Sequence, residues 1–429
     1  MPRTTRPTAD TGPERAAIVR LTTHATRSLD ADLALDELEG LARAAGADVV
    51  LRFAQERELP DPATFIGRGK AELLATAADE ARVELVIVDN ELTPAQTRNL
   101  ERVTGRRVID RTALILDIFA KRARTREGQL QVELAQLKYT LPRLAGSSAA
   151  LSRLGGGIGT RGPGETKLET DRRRIRHRIS VLEHDIDVVQ RRRGYLRARR
   201  RRSDVPVVAL VGYTNAGKTT LFNRLTGAGA VASDALFVTL DPLMRRVRLP
   251  DARQIVLTDT VGFIDRLPHQ LVAAFHATLE EVASADLLLH VVDASAPDRE
   301  RHMRAVDAVL DEVGAAAVPV ITVFNKIDRL APAELEGLQG ARPDAAFVSG
   351  QQGGGVSALL AGMVRQLAMD VVRTTLYFDR SKDADRVRLA DLYRHARVVE
   401  EHDQDGNRTE VVADVPRRLL PKLGMTRTA

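Results

Sequence analysis

The sequence predicts an α/β chain built in four parts, and three observations predict it. Short apolar runs alternate with amphipathic stretches over residues 15–110 and again over 203–372, the spacing of strand–helix units in largely parallel sheets. Between them, over 111–202, leucine and isoleucine recur in steps of four and three, the period of a packed helix pair. A glycine-rich loop ending in Gly217-Lys218-Thr219 directly follows one of the apolar runs, as phosphate-cradling loops do. A small C-terminal α/β unit over 373–429 and a polar stretch over 1–14 account for the remainder.

The stretch 1–14 holds Pro2, Pro7 and Asp10 without an apolar core, so a disordered tail is expected there and not a signal sequence. In the first α/β part, strands are expected at 17–21, 48–53, 85–89 and 107–109. Helices are expected at 29–45, 70–81 and 94–103, the last with Thr93 as cap and Pro94 in its first turn. The helical part carries Leu130, Leu134, Leu137 and Leu141, then Ile175, Ile179, Leu182, Ile186 and Val189. Two such stripes bury each other as an antiparallel helical hairpin. Six glycines within 155–164 cannot hold a helix and are expected to form a loop at its tip. The third part places strands at 205–211, 255–258, 287–292, 318–324 and 346–348, each near-continuously apolar as a central parallel strand requires. The fourth places a strand at 376–378, a charged helix at 384–397 and a hairpin turning at Asp405-Gly406-Asn407.

The absence of cysteine excludes disulfides, thiolate catalysis and cysteine metal sites. Charges interrupt every apolar run before the ~18 residues a membrane span needs. With no lipidation motif or basic amphipathic anchor, a cytoplasmic chain without a membrane anchor is expected. The net charge is +6, and it is unevenly placed: residues 153–202 hold sixteen Lys and Arg against six acids, leaving the rest slightly acidic. A polyanionic partner would meet that segment. Aromatic residues make up only 3% of the chain, which argues against base stacking as the main mode of contact.

Gly212-Tyr213-Thr214-Asn215-Ala216-Gly217-Lys218-Thr219 fits the pattern GxxxxGK[ST], with a strand before it and a helix from Thr220 after it. Such a loop curls backbone N–H groups around phosphates, sends Lys218 to the β- and γ-phosphates and offers the Thr219 hydroxyl to Mg²⁺. Asp259-Thr260-Val261-Gly262 follows the next apolar strand; there an acid serves the Mg²⁺ water shell and the Gly262 amide meets the γ-phosphate. In Phe237-Val238-Thr239-Leu240-Asp241, Thr239 is the candidate switch threonine that closes on Mg²⁺. Asn325-Lys326-Ile327-Asp328 ends a further strand. Asp328 accepts hydrogen bonds from guanine N1–H and the exocyclic amine, neither of which adenine offers. Ser349-Gly350-Gln351 is placed to touch the base from the other side. Together these define a P-loop GTPase domain, with Lys218, Thr239, Gly262 and Asn215 as the candidate catalytic set.

Phe263 stands where many GTPases place a water-orienting Gln, so intrinsic hydrolysis should be slow and need help from elsewhere. Two sources of that help remain open, a K⁺ ion supported by Asn215 beside the phosphates or a partner that completes the site; the alternative for Asn215 is a purely structural role in the loop.

The flanking segments carry a resemblance. Phe65-Ile66-Gly67-Arg68-Gly69-Lys70, Asp89-Asn90-Glu91-Leu92-Thr93-Pro94-Ala95-Gln96, RTALILDIFAKRARTR over 111–126, LQVELAQLK over 130–138, LSRLGGGIGTRGPGETKLETDRRR over 151–174 and DTVGFI over 259–264 resemble the HflX family of bacterial translational GTPases. The likeness extends over about residues 15–415. Ser349-Gly350-Gln351 departs from the family's usual Ser-Ala-Lys. The resemblance implies a Mg²⁺-dependent GTPase, monomeric off the ribosome, that binds the large ribosomal subunit and dissociates stalled or vacant ribosomes. It places the RNA contacts on the hairpin tip, at Arg153, Gly155, Gly156, Gly157, Gly159, Arg161, Gly162, Arg172, Arg173 and Arg174. The residues alone leave two alternatives: a GTP-gated protein acting on non-ribosomal RNA, or arginines that only solvate a helix face.

Overall fold

A computed structural model describes residues 12–23, 31–144, 163–202, 205–230, 236–237, 239–240, 242–250, 253–265, 281–368, 371–404, 407–416, 419–420 and 423. The first sheet contains β1 (Glu14–Thr22), β2 (Ala47–Glu56), β3 (Leu85–Val88) and β4 (Arg107–Asp110) in the order β2-β1-β3-β4, every pair parallel. Helices α1 (Ala31–Ala45), α2 (Arg68–Glu80) and α3 (Pro94–Thr104) link them. The central β1 is buried from Ala16 to Leu21 because helices cover both of its faces. Thr93 caps α3 in a reciprocal box with Gln96, as the sequence indicates.

Helix α4 (Arg111–Arg122) starts at the end of β4, its first turn capped by Asp110. Its Leu114, Ile115, Ile118 and Phe119 enter the core of the first sheet. The packing therefore assigns 111–122 to that core, and the hairpin begins only at α5 (Arg126–Arg143). Its second helix is α6 (Pro163–Arg202). Leu130, Leu134, Leu182 and Ile186 form the seam, with Leu137 and Ile179 half-buried beside them. Two ion pairs flank it, Glu133–Arg178 at 2.7 Å and Lys138–Glu183 at 2.8 Å. In heptad terms these join g to g and e to e, the pairing of an antiparallel seam.

The second sheet runs β10-β9-β8-β5-β7-β6. Its strands are β5 (Val207–Val211), β6 (Leu243–Arg248), β7 (Gln254–Asp259), β8 (Leu287–Asp293), β9 (Val320–Asn325) and β10 (Ala346–Phe347). All pairs are parallel except β6 with β7. Helices α7 (Lys218–Thr226), α8 (Arg299–Glu312), α9 (Pro332–Ala341) and α10 (Val356–Ala368) accompany it. The strand order reverses direction at β5, so the loops at the carboxyl ends of β5, β7 and β9 open into one crevice.

The third sheet is an antiparallel meander of β11 (Val371–Asp379), β12 (Arg397–Gln404) and β13 (Arg408–Pro416), ordered β11-β13-β12, with α11 (Asp383–His395) on one face. Strand β11 is longer than the expected 376–378, and residues 405–406 of the expected turn lie outside the described residues. The first and second sheets share one buried cluster, in which Leu38 and Phe119 meet Tyr213, Phe237 and Phe263. Phe119 stands edge-on to Phe237 with ring centroids 4.8 Å apart. Among the described residues no helix is long and apolar enough to cross a membrane.

Candidate nucleotide-binding site

Strand β5 delivers the loop 212–217 to the end of the second sheet, and α7 starts immediately at Lys218. Gly217 adopts φ +89°, and a Cβ there would stand 2.2 Å from the Asn325 amide nitrogen, so only glycine fits. The loop borders a cleft of about 410 Å³. Thr214, Asn215, Gly217, Lys218, Thr219, Thr220, Phe237, Thr239, Thr260, Gly262, Asn325, Lys326, Asp328, Gly350 and Gln351 all line it. Residues from five separate segments thus converge where the motifs place a nucleotide.

Lys218 is buried under the loop, its Nζ donating to the carbonyls of Gly212 (2.9 Å) and Tyr213 (2.7 Å). Burial pulls its ammonium down to about 8, against the attraction of Asp259. Gly262 comes so near that a Cβ would lie 2.8 Å from Thr214 Cγ2 and 3.1 Å from Lys218 Nζ. The three residues read as metal-side ligands also meet. Thr219 Oγ1 lies 2.8 Å from Thr239 Oγ1 and donates to Asp259 Oδ2 at 2.8 Å, while Thr239 Oγ1 donates to the same oxygen at 3.0 Å. Two hydroxyl protons serve three short oxygen contacts, so the cluster calls for one further proton or a cation. Asp259 Oδ1 is buried without a hydrogen-bond partner among the described residues. Burial raises the Asp259 carboxyl above its ordinary value, and Lys218 opposes that. An all-oxygen set of two hydroxyls and a carboxylate suits a hard divalent cation.

On the base side, Asn325 donates from Nδ2 to the Ala216 carbonyl and accepts from the Gly350 N–H, both at 2.9 Å. Lys326 pairs with Asp293 Oδ2 at 2.7 Å. Asp328 lies exposed on the cleft wall in a short 3-10 turn (Ile327–Arg329).

The remaining expected residues divide three ways. Tyr213, Ala216, Leu240, Asp259, Val261 and Ser349 are buried behind the cleft wall, with Gly212 at the root of the loop. Ser349 faces its own turn, its Oγ accepting from Gln352 N–H at 3.0 Å, so the base side is presented by Gly350 and Gln351. Val238 and Asp241 lie outside the described residues, as do Arg153, Gly155, Gly156, Gly157, Gly159, Arg161 and Gly162 of the expected RNA set. Arg173 and Arg174 are exposed on α6 and Arg172 is half-buried. Asn215 sits exposed on the lip at φ +59°, a conformation asparagine tolerates well, which by itself accounts for the residue type. Phe263 is buried, its carbonyl accepting from Thr214 N–H at 2.7 Å.

Sequence reasoning passed over Arg329, which lines the rim, and Asp293, which orients Lys326. Asp293 ends the apolar run of β8, a position that marks a loop acid. It also missed Arg224, which donates to the carbonyls of Gly350 (3.2 Å) and Gln351, and Glu37, which bonds the Tyr213 hydroxyl from α1. No local pattern announces either contact.

Three family profiles match consecutive stretches: "GTP-binding GTPase N-terminal" over 32–120, "GTP-binding GTPase Middle Region" over 122–200 and "50S ribosome-binding GTPase" over 207–326. GTPase HflX of Caldanaerobacter subterraneus subsp. tengcongensis is 46% identical over 408 residues, covering 95% of this chain and 93% of its own. GTPase HflX of Escherichia coli strain K12 is 48% identical over 344 residues, covering 80% and 81%. A GTP-binding protein of Sulfolobus solfataricus solved with GDP aligns over 82% of this chain and 98% of its own, at 24% identity and a TM-score of 0.43. Identity of this order over nearly the whole length, on a chain matched by all three GTPase profiles, makes it a member of the GTPase HflX family.

Proposed function

We propose that the chain is a Mg²⁺-dependent GTPase that binds the large ribosomal subunit through its helical hairpin and dissociates stalled or vacant ribosomes, with hydrolysis controlling its release. The observation that carries this reading is the pairing of a cleft lined by the phosphate loop, Gly262 and Asn325–Asp328 with a long basic helix that exposes Arg173, Arg174 and Arg176. The profile matched by 207–326 is described as a 50S ribosome-binding GTPase, which supports the same partner.

Thr219, Thr239 and Asp259 would hold Mg²⁺, which supplies charge neutralisation at the β- and γ-phosphates when bound. Lys218 would leave the loop carbonyls for the phosphates, while loop N–H groups and the Gly262 amide stabilise the charge that develops on them. Asp328 selects guanine. Buried Phe263 offers no polar group to orient water, so a ribosomal group, or K⁺ beside Asn215, completes the reaction.

The test is GTP hydrolysis by the purified chain, alone and with large subunits, compared with a variant lacking 155–164. Strong stimulation that the deletion abolishes is the expected result. Equal stimulation by free RNA would point instead to a non-ribosomal RNA partner, and no stimulation by either would remove the RNA role.

A further inference from the structure

Three residues beyond Gly262, Asp265 is held at both of its backbone groups. Its N–H donates to the Tyr213 hydroxyl at 2.9 Å, and its carbonyl accepts from the Arg111 guanidinium at 3.2 Å. Both clamps run back to one carboxylate. The Tyr213 hydroxyl donates to Glu37 Oε2, and Arg111 donates to Glu37 Oε1.

Glu37 lies on α1 and Arg111 at the start of α4, so the knot belongs to the N-terminal α/β part while the residues it holds belong to the nucleotide loops. Its members are shielded from water: the Glu37 side chain is 12% exposed and that of Arg111 8%. Arg111 is fixed further by Asp89 Oδ1 at 2.8 Å. The Tyr213 ring stacks on His302 at 3.8 Å, which fixes the plane of the ring that carries the hydroxyl. Arg301 of α8 approaches Asp265 Oδ2 at 3.5 Å and Glu37 Oε2 at 3.9 Å, closing the cluster from the other side. Buried ion pairs add little net stability over apolar packing, but they hold geometry tightly.

We propose that Glu37 is a positioning residue for GTP hydrolysis: through Tyr213 and Arg111 it fixes Asp265, and so sets the Gly262 amide where the γ-phosphate needs it. This rests on the reading of Gly262 as a γ-phosphate contact. The N-terminal α/β part then belongs to the apparatus that distinguishes GTP from GDP. Whatever shifts α1 relative to the second sheet changes triphosphate recognition without touching the base site.

The full-length Glu37→Gln protein keeps the side chain's size and removes the charge that orders both clamps. Affinity for a non-hydrolysable GTP analogue should fall about five- to tenfold, while GDP affinity stays within about twofold. KM for GTP should rise and kcat fall, with the melting temperature recorded alongside. Tyr213→Phe keeps the ring stack and is the second variant should Glu37→Gln not fold. Adding Arg111→Gln to Glu37→Gln also removes the donor to the Asp265 carbonyl, so the analogue should weaken further while GDP does not. Equal losses for analogue and GDP, or no loss in a folded variant, would overturn the clamp. Gly262→Ala separates the two readings. If it weakens analogue and GDP equally, the γ-phosphate role of Gly262 falls; if it weakens the analogue selectively and Glu37→Gln does not, only the clamp falls.

Discussion

Asn325 and Gly217 stand so close that a single methyl group on Gly217 would lie 2.2 Å from the Asn325 amide nitrogen. Asn325 is 2% exposed, and its two ends fasten Ala216 of the phosphate loop to Gly350 of the base-side loop. Asn325→Asp removes the donor and sets a carboxylate against the Ala216 carbonyl. A buried polar group left unpaired costs about 1–3 kcal/mol. Calorimetry should show GDP affinity reduced about tenfold or more, with a lower melting temperature. A variant that binds GDP as the parent does would falsify the fastening role.

Asp328 stands exposed on the cleft wall, where the proposed guanine contact would form. In Asp328→Asn an amide nitrogen faces the guanine amine, donor against donor. Hydrogen bonds to a charged group contribute about 1.5–3 kcal/mol, so GTP affinity should drop about 10- to 100-fold. Xanthosine triphosphate carries an oxygen in place of that amine, and the variant should prefer it. Competition between the two nucleotides reads the switch directly.

The oxygen cluster of Thr219, Thr239 and Asp259 makes a prediction about metal. Thr219→Val keeps the side chain's shape and deletes one hydroxyl. Because a bound metal contributes several kcal/mol at the transferring phosphoryl group, turnover in saturating Mg²⁺ should fall about 100-fold. Parent and variant should converge when the metal is chelated. A persistent gap in chelator would assign the hydroxyl another role.

Arg173 and Arg174 are exposed on a helix whose seam they do not enter. Replacing both with Gln should weaken binding to large subunits and flatten its dependence on salt. Each lost phosphate contact removes about 0.7–0.9 from the slope of log affinity against log salt, so the pair removes about 1.5. An unchanged slope would mean that neither arginine touches RNA.

Much of this was legible in the sequence, for a physical reason. Strands β5, β7 and β8 sit inside the second sheet, so they read as continuous apolar runs. The four nucleotide motifs lie at strand ends that topology brings to one crevice. Edge strand β6 escaped because Arg245, Arg246 and Arg248 interrupt it and Val247 is its one buried residue. The knot at Glu37 escaped for another reason. On α1 it reads as an ordinary helical acid, and its partners lie 74 and 176 positions away. Only the packing of the two sheets against each other brings them together, and no local period records that. The seam was readable in kind, since Leu134 and Leu182 repeat correctly, but its ion pairs confirm direction only in three dimensions.

Helix α6 has 40 residues and α5 has 18, so the longer helix overhangs its partner at both ends. At 1.5 Å per residue it is a rod of about 60 Å. Its base at Arg202 lies a few positions before Val207, where the strand that carries the phosphate loop begins. A tilt of about ten degrees at that base sweeps the far end through roughly 10 Å for a rod of this length. The length of α6 makes it a lever arm, and the angle at its base decides how far its other end travels.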